Sequence, residues 1–136
     1  MKVLLDTCVV IDFLTSREPF FENSKKVFLL CANNDINGFI TAKSLTDIYY
    51  FVKKSNNDEN ETRRIMKELL SIVSLLDTNR GDCLKAFDSN TKDYEDAVMD
   101  ETAVSYGMDL LLTRNIKDFK NAKVKAMTPN EFLSMM

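Results

Sequence analysis

A chain of 136 residues, 45% apolar and 29% charged, is sized for one domain with its own core, and its three glycines and two prolines argue against long linkers or disorder. A formal net charge of −3 and a pI near 5.0 exclude a protein that coats nucleic acid by bulk positive charge, although a carboxylate site would itself add to the acidic count. The chain has no histidine, so any hydrolytic chemistry has to run on carboxylates and a metal ion.

In chain order, an apolar strand over Val3–Leu5 is expected to pass through Asp6 into a helix around Cys8–Leu14. Pro19 then opens an amphipathic helix to about Asn33. Gly38 turns the chain into a strand, Phe39–Thr41, which is followed by helices from about Ser44 to Lys54 and from about Glu59 to Ser71. The polar run SNNDENE (Ser55 to Glu61) reads as the loop between those two helices. A strand near Ile72–Leu76, a helical piece around Asp82–Phe87 and a helix from Asp93 to about Tyr106, stopped by Gly107, come next. The run LLL within Asp109–Thr113 suits a fully buried parallel strand, and a last strand, Val124–Met127, leads to a short helix with Pro129 in its first turn. Strands alternating with helices predict a three-layer α/β/α sandwich around a central parallel sheet of about five strands, as one domain over residues 1–136.

Three cysteines, Cys8, Cys31 and Cys83, form no C-x-x-C pair; with no histidine to complete a zinc set, no zinc site is expected, and free buried thiols are. No stretch approaches the roughly 18–20 apolar residues of a membrane span, and Asp6 interrupts any signal-peptide core, so the expectation is a cytoplasmic protein with no membrane partner.

Four aspartates stand where a strand hands over to a helix or within a first turn: Asp6, Asp47, Asp96 and Asp118. If the fold gathers them they repel, and a hard divalent cation relieves that repulsion. Each also has an ordinary reading. Asp6 can cap the next helix, and Asp47 follows Ser44 by three residues, as in a capping box. Asp12 reads as a solvated helix residue. Asp93, Asp96 and Asp100 share one helical stripe; Asp93 reads as the N-cap, Asp96 as the metal candidate, and Asp100 either supports the site from behind or lies on the surface. Thr113 and Asn115 offer small polar groups at a strand end, which suit a site or an ordinary turn.

Together, LLDTCVVIDFL, ITAKSLTDIYYFVKK, KDYEDAVMDETAVSYGMDLLLTRNIKDF and VKAMTP resemble a PIN domain over essentially the whole chain, closest to the small bacterial proteins that include the VapC-type toxins. The resemblance implies a ribonuclease dependent on Mg²⁺ or Mn²⁺. The family's four acids fall on Asp6, Asp47, Asp96 and Asp118, with metal held by Asp6, Asp96 and Asp118. Thr7 and Thr113 match small polar positions, Asn115 matches the strand-end Asn, and Asp100 stands as a supporting residue. Asp47 departs from the usual Glu and is one methylene shorter. RNA contacts are expected from Lys43, Arg114 and Lys117. The implied partners are RNA, a separate cognate antitoxin and a second copy of the chain in a homodimer. The alternative is a catalytically silent PIN fold that binds RNA or protein. An aspartyl phosphotransfer enzyme is disfavoured because Asp6-Thr7-Cys8 lacks an Asp-x-Asp pair.

Overall fold

A computed structural model describes all of residues 1–136. Five strands, β1 (Lys2–Leu5), β2 (Asn37–Thr41), β3 (Ser74–Leu76), β4 (Leu110–Leu112) and β5 (Ala126–Met127), form one parallel sheet in the order β3-β2-β1-β4-β5. Seven α-helices connect or follow them: α1 (Thr7–Leu14), α2 (Phe21–Ala32), α3 (Ala42–Asn56), α4 (Glu59–Ile72), α5 (Arg80–Lys85), α6 (Tyr94–Ser105) and α7 (Pro129–Met135). The expected three-layer α/β/α sandwich is what forms.

Side-chain alternation along the central strands builds two cores at once. Val3, Leu5, Leu110 and Leu112 point to one face and pack with residues of α1–α4 and α7, among them Val10, Phe28, Ile48, Leu69 and Phe132. Leu4 and Leu111 point to the other face, against Met99 and Ala103 of α6 and Phe119. A strand covered on both faces has no polar side, which explains the unbroken VLL and LLL runs.

Boundaries move where capping decides them. Pro19 does not open α2; residues before Phe21 form a turn in which Phe20 N–H donates to Arg17 C=O, and α2 begins at Phe21. The α3 N-cap is Thr41, the last residue of β2, whose hydroxyl accepts from Ser44 N–H, so the helix starts at Ala42 and Asp47 lies in its second turn. Ser44 is buried and caps nothing, which overturns the Ser44–Asp47 capping box. The expected seven-residue loop at 55–61 shrinks to Asn57, left-handed at φ +55°, and Asp58, which caps α4. Ile72 stays helical, and β3 begins only at Ser74.

Gly38 in β2 lets α2 approach the sheet: a Cβ there would lie 2.5 Å from Cys31 Sγ and 3.1 Å from Val73 Cγ1. Gly38→Ala is expected to lower stability by about 1–3 kcal/mol in urea unfolding. Adding Cys31→Ala should recover more than half of that loss; no recovery would show that the sulfur is not the obstacle.

Candidate active site

The order of the sheet reverses at β1, whose neighbours are β2 on one side and β4 on the other, and in such sheets a crevice opens beyond the strands' carboxyl ends. Asp6 follows β1 directly and donates its backbone N–H to Leu112 C=O of β4 at 2.9 Å, so the two strand ends stand side by side. Asp6 is extended (φ −66°, ψ 152°) and caps α1: its Oδ1 accepts from Thr7 N–H at 2.8 Å. Its Oδ2 accepts from the Thr113 hydroxyl at 2.7 Å, and the Cys8 thiol reaches the same oxygen at 3.5 Å. The capping and site readings of Asp6 therefore coexist, one on each oxygen.

Thr113 Oγ1 in turn accepts from Asn115 N–H at 3.0 Å, which fixes the bend after β4. Thr7 donates its hydroxyl to Ser44 Oγ at 2.9 Å and so ties α1 to α3. These polar side chains brace the acid end of the sheet rather than stand free.

Asp93 caps α6 by accepting from Asp96 N–H at 3.0 Å, leaving the Asp96 side chain to face the crevice that it lines with Asp6. Burial, followed by repulsion from Asp6, Asp93, Asp118 and Glu95, pushes the Asp96 carboxyl up to about 7. Burial also raises Asp6 against the lowering effect of its hydrogen bonds, and Asp118 adds to that rise. Asp118 is itself exposed, on a short 3-10 helix (Ile116–Phe119) just past β4. Asp6, Asp96 and Asp118, drawn from three separate segments, thus lie within one another's field.

Asp47 behaves differently. Its Oδ2 accepts from Lys43 Nζ at 2.6 Å. Lys43 Nζ also lies 3.4 Å from Glu95 Oε1 on α6. The crevice has a volume of about 470 Å³, with Asp6, Asp47, Asp96, Lys43, Arg17 and Asn115 on its walls. Arg17 and Glu95 were not singled out from sequence, and Ser44 only as a helix cap. Glu95 could have been noticed beside Asp96, whereas nothing around Arg17 marks it.

Three expectations are corrected. Asp100 does not support the site: it is 1% exposed, and its two oxygens accept from the backbone N–H groups of Lys123 and Val124, both at 2.9 Å, which anchors the segment entering β5. Asp12 is not solvated. It is fully buried and paired with Arg114, whose Nε donates at 2.6 Å. Arg114 is consequently held by the fold, with its guanidinium 4.0 Å from the centre of the Phe20 ring, and is no free RNA contact. Lys117 is exposed and forms no ion pair. All three cysteines are free, but only Cys31 is fully buried.

The donors gathered here are carboxylate and hydroxyl oxygens, the set preferred by hard divalent cations. No three of them converge closely enough to form a ready-made ion cage. Uncompensated carboxylates repel, and a proton retained on Asp96 near neutrality marks where a cation would be most favourable. The donor set therefore fits Mg²⁺ or Mn²⁺ in chemistry and in charge.

Residues 2–117 match the family model of the PIN domain. Among solved structures, the chain is similar to VapBC2 from Rickettsia felis bound to a DNA fragment from its promoter (18% identity, TM-score 0.70, covering 94% of this chain and 98% of that one). It is similar to DNA-bound VapBC from Salmonella typhimurium (18%, TM-score 0.71, 95% and 98%). A third similar structure is VapC20 of Mycobacterium tuberculosis, described as a Sarcin-Ricin loop cleaving toxin (10%, TM-score 0.67, 90% and 98%). No curated protein sequence matches.

Asp96 gives a stability prediction with a defined sign. An unfolded Asp titrates near 3.8 and the folded one near 7, so between these values the folded state holds more protons. The stabilisation is full below about pH 4 and lost as pH rises through 7. In metal-free protein, Asp96→Asn should flatten the fall in unfolding free energy across that window by roughly 1 kcal/mol, the shift being discounted for partial exposure. Identical pH profiles for the two proteins would refute the perturbed carboxyl. Arg114→Ala, which strands the buried Asp12 charge, should cost about 3 kcal/mol in urea unfolding; a loss under 1 kcal/mol would show the pair to be dispensable.

Proposed function

The chain belongs to the PIN domain family, and from that premise we propose that it is a metal-dependent endoribonuclease acting as the toxin of a toxin–antitoxin pair. The observation that carries the reading is the mutual repulsion of Asp6, Asp96 and Asp118 at the sheet's switch point, with the Asp96 carboxyl raised to about 7. Mg²⁺ or Mn²⁺ would be held by Asp6, Asp96 and Asp118, and when bound it supplies polarisation of a phosphodiester and acidification of water.

The protein's own contribution is orientation. Thr113 fixes one oxygen of Asp6 and Thr7 N–H the other, so that carboxylate is aimed before any ligand arrives. Asn115 holds Thr113 in place through its backbone N–H. A proton held by Asp96 near neutrality would be displaced by a bound cation, so cation binding should release protons. Arg17 on the crevice wall, Lys43 beside it in the lining and exposed Lys117 beyond β4 would meet RNA phosphates. Single-stranded or looped RNA suits a crevice open at the end of a sheet better than duplex RNA does.

The toxin role is supported by the VapBC and VapC20 structures that the fold resembles. A cognate antitoxin protein and a homodimer belong to the same proposal. No helix is long and apolar enough to cross a membrane. One observation favours a second reading, a catalytically silent PIN fold that binds RNA or protein: the second acid, Asp47, lines the crevice with Asp6 and Asp96 but is tied to Lys43.

A labelled single-stranded RNA separates the two readings. Cleavage with Mg²⁺ or Mn²⁺ should be abolished by EDTA and fall about 10²-fold or more in Asp6→Asn and Asp96→Asn. Cleavage that persists in Asp96→Asn would place the activity elsewhere. No cleavage together with no Mn²⁺ binding by calorimetry would leave the silent module.

A further inference from the structure

Lys43 sits where helix physics disfavours it. It is the second residue of α3, within the turn where the helix dipole repels a cation. Its partner Asp47 is one turn further on, and the Lys-before-acid order is the weaker arrangement for a pair at this spacing. Helix energetics give only a weak account of this lysine, and the crevice adds to it. Its backbone is pinned by donation from Lys43 N–H to Thr78 Oγ1 at 3.1 Å, and its ammonium reaches Asp47 at 2.6 Å and Glu95 at 3.4 Å. Those carboxylates belong to α3 and α6, which pack on opposite faces of the sheet. The ammonium thus bridges the two walls of the crevice.

The ammonium lies within hydrogen-bond distance of Asp47 and further from Glu95 on the facing wall, so Asp47 takes the larger share of its charge.

We propose that Lys43 is the crevice's own counter-cation: its ammonium neutralises Asp47, keeps it out of the cation-binding set and leaves a site built on Asp6, Asp96 and Asp118 alone. This inference rests on the divalent-cation reading of the site. It makes Lys43 a residue that sets cation affinity, acting through Asp47 and without ligating the ion. Removing its charge frees a fourth carboxylate on the crevice wall, and a cation should then bind more tightly.

The test is calorimetric titration of the full-length protein with Mn²⁺, for wild type, Asp47→Asn, Lys43→Gln, Lys43→Arg and the Lys43→Gln/Asp47→Asn double variant. Asp47→Asn should bind within twofold of wild type, and Lys43→Gln threefold or more tighter. The gain should vanish in the double variant, and Lys43→Arg, which keeps the charge, should match wild type. A tenfold weakening in Asp47→Asn would make Asp47 a direct ligand and overturn the proposal. So would an unchanged affinity in Lys43→Gln. Mn²⁺ binding by wild type with no effect of Lys43→Gln overturns this inference alone, whereas no Mn²⁺ binding by any variant overturns it together with the metal-dependent reading.

Discussion

The parallel pairing of β1 with β4 is the constraint on which the site depends. Its register, Leu5 opposite Leu112, brings the residues that follow each strand into contact, and the 2.7 Å hydrogen bond from Thr113 to Asp6 closes that contact. The two residues are 107 positions apart in sequence, so only the sheet can introduce them. A shift of one residue would turn Val3 and Leu5 from one core to the other and pull Asp6 away from Thr113. The hydrophobic alternation that fills both faces of the sheet therefore also sets the position of its most buried site carboxylate.

The acids of this chain divide by whether the fold gives them partners. Asp100 receives two backbone N–H groups, and Asp12 receives the Arg114 fork. Both are fully or almost fully buried, and neither has a detectable role in the crevice. Asp6 and Asp96 are the reverse case. Burial raises both, Asp118 adds to the rise of each, and the hydrogen bonds that Asp6 does receive only partly offset its desolvation. Electrostatic strain left uncompensated in a crevice, beside carboxylates elsewhere in the molecule that are fully satisfied, is the physical signature of a ligand site. Lys43 shows a third arrangement, a compensating charge supplied by the protein's own side chain.

Much of this was legible in the residues themselves. The unbroken LLL run marked β4 as a doubly covered strand, Gly107 marked the end of α6 at φ +66°, and Asp93 marked its start, because backbone capping and burial are local or periodic properties. The α3 boundary was misread because Ser44 and Thr41 are equally good caps in isolation, and the choice fell to Thr41 once β2 ended there.

What only the tertiary structure decided is which of several identical side chains does what. Asp12, Asp47, Asp96 and Asp100 all stand on helices with acceptable ordinary roles, and no spacing rule separates them. Packing separated them: Arg114 came back across 102 residues to Asp12, the Lys123–Val124 backbone came to Asp100, Lys43 took Asp47, and Asp96 was left facing Asp6 with no cation beside it. Helix, strand and cap preferences depend on near neighbours and can be read from the chain. The charge state and partners of a carboxylate depend on groups that are neighbours only after folding.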